Sequence, residues 1–216
     1  MSQKTMFAVV GAILVLAFLM AAMIYRNHQA SSAPGSVGQF QAIAERAGAP
    51  TKGPNDARVT IVEFFDPACE TCRDFLPMVT ALMNKYPGKV RVMLRYAPLH
   101  TGSDQVVKML EAAHLQGKFW PALELLFETQ NRWTANHTSQ PMRAMNILNS
   151  LDIDQEQLAS DMNSEKVNQV ITKDVQDSQA MGVRATPEFF VNGQPLPSWG
   201  FEQLSQLVEK TVAEVY

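Results

Sequence analysis

The chain has 216 residues, enough for one domain with a sizeable core or two small ones, and its 46% hydrophobic and 18% charged residues suit a globular protein. Eighteen basic residues against 21 acidic ones leave a net charge of −3, and no Lys/Arg run breaks the sequence. That balance excludes the basic surface that nucleic-acid binding needs, so no nucleic acid is expected as a partner.

Residues 1–5 form a short tail. Residues 6–25, MFAVVGAILVLAFLMAAMIY, run for twenty positions without a charge. A helix of that length spans about 30 Å, the thickness of a bilayer core. A cleaved signal peptide has an apolar stretch of only about 7–15 residues ahead of a small-residue site. Here the following RNHQASSAPGS offers only weak sites, near Ala30 and Ala33. The stretch is read as an uncleaved transmembrane anchor, with a cleaved leader as the competing reading. Residues 27–38 are small, polar and turn-forming and read as a tether. A short helix is expected over 39–47. Residues 26–54 are therefore assigned to the tether and a short N-terminal segment, and 55–216 to the folded domain.

ARVTIVEFF (57–65) is β-branched, aromatic and nearly continuously apolar, which predicts a central strand. A helix is expected from about Cys69 to Tyr86, bent at Pro77 and ended by Pro87-Gly88. KVRVMLRYAP (89–98) reads as a second strand. A helical block follows over about 101–182. Its first helix is expected to start at a Ser103 cap, and others cover 119–130, 141–151 and 154–162. A last one begins at a Ser164 cap, has Val167, Val170, Ile171 and Val175 on one face, and stops at Gly182. EFFVNGQPLP then predicts a hairpin turning at Asn192-Gly193. Residues 200–214 close the chain as an amphipathic helix. Strand–helix–strand plus hairpin–helix gives a four-stranded mixed sheet with helices on both faces, a thioredoxin-like α/β fold with an inserted α-helical domain.

The only two cysteines, Cys69 and Cys72, stand in FFDPACETCRDF. A structural zinc site wants four ligands, and the four histidines lack the paired spacing to complete one. Haem attachment needs His directly after the second cysteine, where Arg73 stands. A disulfide staple closing so short a loop removes little chain entropy. A redox dithiol fits the context: a strand–loop–helix junction puts Cys69 at a helix N-terminus, where unpaired N–H groups and the helix dipole favour the thiolate. Cys72, one turn on, can then release a mixed disulfide. The reading from another class is a membrane-tethered metal-binding chaperone, since sulfur ligands suit Cu(I). The twelve methionines, however, are scattered as core filler would be.

VTIVEFFDPACETC, QGKFWPALELLFETQNRW and GVRATPEFFVNG together resemble the DsbA-like branch of the thioredoxin superfamily, over about residues 55–215. The resemblance implies that Cys69 is the attacking and Cys72 the resolving cysteine. It implies that Glu63 is the buried acid moving protons at the resolving thiol, that Pro77 is the helix-bending proline, and that Thr186-Pro187 is the cis-proline loop facing the disulfide. Two positions depart from the pattern. Glu70-Thr71 stands between the cysteines in place of Pro-His, and a carboxylate beside the thiolate is expected to raise the Cys69 pKa and temper the oxidant. Ala68 stands where thioredoxins place Trp. The segment 39–55 is too short for the dimerisation domain of disulfide isomerases, which implies a monomer. The implied function is thiol–disulfide oxidoreduction without a cofactor. The expected place is a single-pass protein of the bacterial inner membrane, with the catalytic domain on the periplasmic side. Its expected partners are folding proteins with thiols and a membrane redox protein that reoxidises it; a reductase or isomerase in the same place is the alternative.

Overall fold

The computed structural model describes Met20 and residues 37–216; the expected anchor over 6–25, apart from Met20, and the first part of the tether lie outside the described residues. Among the described residues no helix is long and apolar enough to cross a membrane. The folded unit begins at Val37 rather than near residue 55. Its first helix, α1 (Val37–Ala44), buries Phe40 and Ala44 against the sheet, and β1 (Thr51–Lys52) adds an edge strand that the sequence does not announce.

The sheet is built around β2 (Val59–Phe65), seven residues all buried. A strand covered on both faces reads as a continuous apolar run, which is why VTIVEFF does not alternate. β2 pairs in parallel with β3 (Val90–Tyr96) and antiparallel with β6 (Glu188–Val191), so the order is β1-β3-β2-β6-β7, with β7 at Gln194–Pro195. Five strands replace the expected four, because the two-residue β1 adds an edge beside β3. The β6–β7 hairpin turns as expected: Asn192 and Gly193 have φ of 46° and 77°, the paired positive values that this tight turn requires.

Side chains of β2 alternate between two cores. Val59, Ile61 and Phe65 join the larger one, with α2 (Glu70–Lys85) and α9 (Phe201–Val215). Val62 and Phe64 join the smaller one with Phe40 and Phe190. Glu63 has the parity of Ile61 and Phe65, so strand geometry aims it at the face that α2 covers. The helix continues through Pro77.

Between β3 and β6 the insertion holds α3 (Ser103–Leu115), α4 (Phe119–Glu128), α5 (Gln130–Trp133), α6 (Pro141–Leu148), α7 (Gln155–Asp161) and α8 (Glu165–Ala180). A two-stranded hairpin, β4 (Thr134–Ala135) with β5 (Thr138–Ser139), interrupts the helices. Fully buried Trp133 anchors the insertion, and its indole N–H donates to the Leu126 carbonyl at 2.8 Å, so a large apolar body is buried without an orphaned donor. Ser164 caps α8 as expected, accepting from the Val167 N–H. Ser103 does not cap α3. Gly102 occupies that position at φ 81°, where a Cβ would lie 3.0 Å from the Ser139 carbonyl oxygen, and the Ser103 hydroxyl is drawn away to Asp66.

Candidate active site

The strand β2 ends at Phe65, and four residues later the chain enters α2 at its N-cap, Cys69. Cys69 is extended there (φ −75°, ψ 118°), and its Sγ accepts from the Cys72 N–H at 3.4 Å. Helix N-caps are ordinarily oxygen side chains that satisfy an orphan N–H. Here a sulfur takes that role, so the cap and the nucleophile are the same atom. Both cysteines are free thiols. Across the gap, the peptide bond Thr186-Pro187 is cis, and the Cys69 thiol donates to the Thr186 carbonyl at 3.1 Å. The structure therefore brings Cys69, Cys72, Thr71 and Thr186 together.

The two thiols are driven apart. The Cys69 pKa is lowered to about 6. The largest cause is the hydrogen bond from the Cys72 side chain. Burial opposes it, and the Thr186 side chain and the N–H groups of Cys72 and Thr71 add to it. Cys72 is pushed well above its ordinary value, first by burial, then by its bond to Cys69 and the nearby charges of Glu63 and Cys69. Glu63 is raised by burial and, second, by the charge on Cys69. A thiolate, a protonated thiol and a protonated carboxyl thus stack inward from the surface. That order suits exchange, because the outer sulfur is ready to attack or leave and the inner ones hold the protons.

Glu70 belongs to the rim of the site but does not tune it as expected. It is exposed, and the groups that set Cys69 are thiol, hydroxyl and N–H donors, with no carboxylate from Glu70 among them. Water screens a charge in that position. Among the described residues no three His, Cys, Asp or Glu side chains gather as metal ligands would.

Three residues that the sequence reading passed over complete the site. Asp66, fully buried, accepts at Oδ1 from the Ala68 N–H (2.8 Å) and the Ser103 hydroxyl (2.6 Å). At Oδ2 it accepts from the N–H groups of Leu99 (2.7 Å) and His100 (2.8 Å) and meets His100 Nδ1 at 2.8 Å. Gln130, from the insertion, donates to the carbonyls of Pro67 (2.9 Å) and Cys69 (3.0 Å). The redox loop is thus held from two sides by residues 33 to 63 positions away. An Asp at the start of a turn was the one available signal, since aspartate readily bonds the N–H two residues on. His100 and Gln130 had none.

A cavity of about 340 Å³ opens beside the sulfur, with Cys69, Thr71, Leu99, His100, His137, Arg184 and Thr186 on its walls.

The chain matches the family model described as Thioredoxin over residues 45–210. This chain belongs to the thioredoxin family. It is similar to the crystal structure of a thioredoxin-like oxidoreductase from Silicibacter pomeroyi, with a TM-score of 0.68 and 26% identity, covering 84% of this chain and 99% of that one. It is 26% identical over 165 residues to the probable disulfide bond formation protein D of Bacillus cereus, 73% of this chain and 76% of that protein. It is 30% identical over 145 residues to the Na(+)/H(+) antiporter NhaA of Herminiimonas arsenicoxydans, 67% of this chain but 22% of the antiporter, so it spans about a fifth of that relative's length. Within the family, the likenesses whose names state a chemistry are to a thioredoxin-like oxidoreductase and to a protein of disulfide bond formation.

Proposed function

We propose that this thioredoxin-family protein is a dithiol oxidase, passing its Cys69–Cys72 disulfide to folding proteins outside the cytoplasm. In this reading residues 6–25 tether a single, monomeric chain to the bacterial inner membrane, the catalytic domain faces the periplasm, and a membrane redox partner restores the disulfide. The observation that carries it is the split between the thiols. A Cys69 pKa lowered to about 6 stabilises the thiolate, which belongs to the reduced form, so it favours accepting electrons from a substrate dithiol. At pH 7 such a thiol gains about one decade over an unshifted one, or about 30 mV for a two-electron couple. The likeness to a protein named for disulfide bond formation supports the same direction. Disulfides also persist in that compartment, which is where a domain behind an uncharged twenty-residue stretch would work.

Reduction or isomerisation in the same compartment is the second reading, and one number favours it. A value of about 6 is nearer to thioredoxin's about 7 than to the about 3.5 of the strong oxidant DsbA. Direction then depends on how the protein is recharged, since a periplasm is kept oxidising kinetically by its membrane enzymes. Equilibration with glutathione decides. The oxidase reading expects a potential above thioredoxin's about −270 mV and below DsbA's about −120 mV. A value under about −270 mV would hand the site to the reductase reading. The tether is tested separately, by mass spectrometry of the N-terminus in membrane fractions, where a start near Ala30 or Ala33 removes it.

A further inference from the structure

We propose that His100 is the base that takes the proton from the incoming substrate thiol, held in position by Asp66; the proposal rests on the dithiol-exchange reading above. His100 and Cys69 line one cavity, although they are 31 positions apart in the chain. The Asp66 carboxylate can only accept, so its 2.8 Å contact to Nδ1 assigns the ring proton to Nδ1 and leaves the lone pair on Nε2. Among the described residues Nε2 has no hydrogen-bond partner, and it is on the edge of the ring away from buried Asp66. His137, from the β4–β5 turn, stacks on the ring face at 5.8 Å and 26°, which leaves that edge open. The other charged groups around the cavity are Arg184 from the loop before β6 and Glu70 from α2. Of the residues between the cysteines, Thr71 does not titrate, and Glu70 is exposed to water at the mouth of the cavity.

A base is worth having because an ordinary substrate thiol, with a pKa of about 8.5, is only about 3% thiolate at pH 7. The step balances as follows. The substrate S–H proton passes to His100 Nε2, the substrate sulfur attacks Cys69 Sγ, the Cys69–Cys72 bond breaks, and Cys72 leaves and is protonated from the Glu63 side. His100 gives the proton it took to water and is free again. A second substrate thiol then passes its proton to the imidazole, attacks the first substrate sulfur, and releases Cys69 as thiolate. Two electrons and two protons leave the substrate dithiol: the electrons go to the two cysteine sulfurs, one proton is returned from water through Glu63 to Cys72, and the other stays in water. In reverse, protonated His100 hands its proton to the departing substrate thiolate, so the assignment holds for either direction of exchange.

His100→Asn tests it, since the Asn amide can still donate to Asp66 from the place of Nδ1 while the Nε2 base is gone. The measurement is kcat/KM for oxidation of a reduced dithiol peptide from pH 6 to 9.5, alongside the Cys69 thiolate absorbance and the potential of the couple. The expected result is a fall of about tenfold at pH 7, within a ceiling of about 30-fold set by the thiolate fraction. The loss should vanish above pH 9, where the substrate ionises by itself, with Cys69 titration and potential unchanged. Equal rates for both proteins at pH 7 would overturn the assignment. So would a loss that persists at pH 9.5, or a moved Cys69 titration, because either makes His100 a structural or electrostatic support of the sulfur. Should the variant not fold, the wild type alone decides. A rate rising tenfold per pH unit from 7 to 8 follows the free thiolate and sinks the proposal, whereas a level rate upholds it. A wild type that fails to oxidise the peptide at any pH refutes the dithiol-exchange reading itself.

Discussion

The two faces of the sheet bury ionisable groups in opposite ways. On the α2 face, Glu63, Cys72 and Cys69 lie together without a cation, and burial pushes the Glu63 and Cys72 protons to stay on. On the other face, fully buried Arg95 reaches from β3 to Asp174 (Nε to Oδ1, 2.8 Å) and Asp177 on α8, and Arg46 meets the same Asp174 oxygen at 2.7 Å. Lys173 joins Asp177, and Arg95 also donates to the Ile43 carbonyl at 2.8 Å at the end of α1. There each charge meets its opposite, and the outcome is a clamp holding α1, β3 and α8 together. Buried charge that is paired holds structure, whereas buried groups left to share too few protons become reagents.

Serine in place of each cysteine tests the reactive face at full amplitude. Cys69→Ser is expected to abolish disulfide transfer, while Cys72→Ser accumulates mixed disulfides with partners, visible on a non-reducing gel. Trapping by Cys69→Ser alone would reverse the two roles.

The clamp should break differently. Asp174→Ala leaves Arg95 and Arg46 without their shared carboxylate, and removing one partner of a buried pair costs about 3–5 kcal/mol. Urea unfolding measures it, and thiolate absorbance should show Cys69 titrating as before. A cost below about 1 kcal/mol would mean that water already satisfies this face.

Glu63→Gln removes the proton store and sharpens the contrast. A carboxyl whose folded pKa is raised contributes stability below its unfolded value, about 4.3, and loses it as pH rises towards the folded value. The variant should therefore match the reduced wild type near pH 4 and exceed it at pH 8, by about 1.4 kcal/mol for each unit by which burial raises the carboxyl. Release of mixed disulfides should slow about tenfold or more, as loss of a positioned proton-transfer group does. Identical unfolding curves at pH 8 would show that Glu63 is hydrated.

Cys69 has the opposite sign. Its depressed value adds stability to the reduced protein above the unfolded thiol's pKa, and that stability is lost as pH falls through about 6. Alkylation of Cys69 should rise across pH 5–7 and then level off; a midpoint near 8 would remove the thiolate from the site. Glu70→Gln is the smallest change, since an exposed carboxylate is screened, and it should move that midpoint by less than about 0.3 unit.

Much of this was written in the sequence. VTIVEFF could only be a strand covered on both faces, Asn192-Gly193 could only be a tight turn, and Cys-x-x-Cys after a strand marked a helix N-terminus, because each depends on local geometry and periodicity alone. Even the aim of Glu63 towards α2 follows from counting by twos along β2. What the tertiary structure decided involves residues far apart in the chain. Asp66 meets His100 and Ser103 across more than thirty positions, Gln130 reaches the Cys69 carbonyl from the insertion, and Arg95 finds Asp174 on a distant helix. The short helix expected over 39–47 forms at Val37–Ala44, yet that it packs into the folded unit, with β1 behind it, was decided by β3 and α8, which supply the partners. Glu70, adjacent to Cys69 in sequence, is turned to water by the first turn of α2, whereas the distant Thr186 sits on the sulfur. Sequence neighbours set the backbone; the low-dielectric surroundings that fix a proton's affinity are assembled only when remote segments pack.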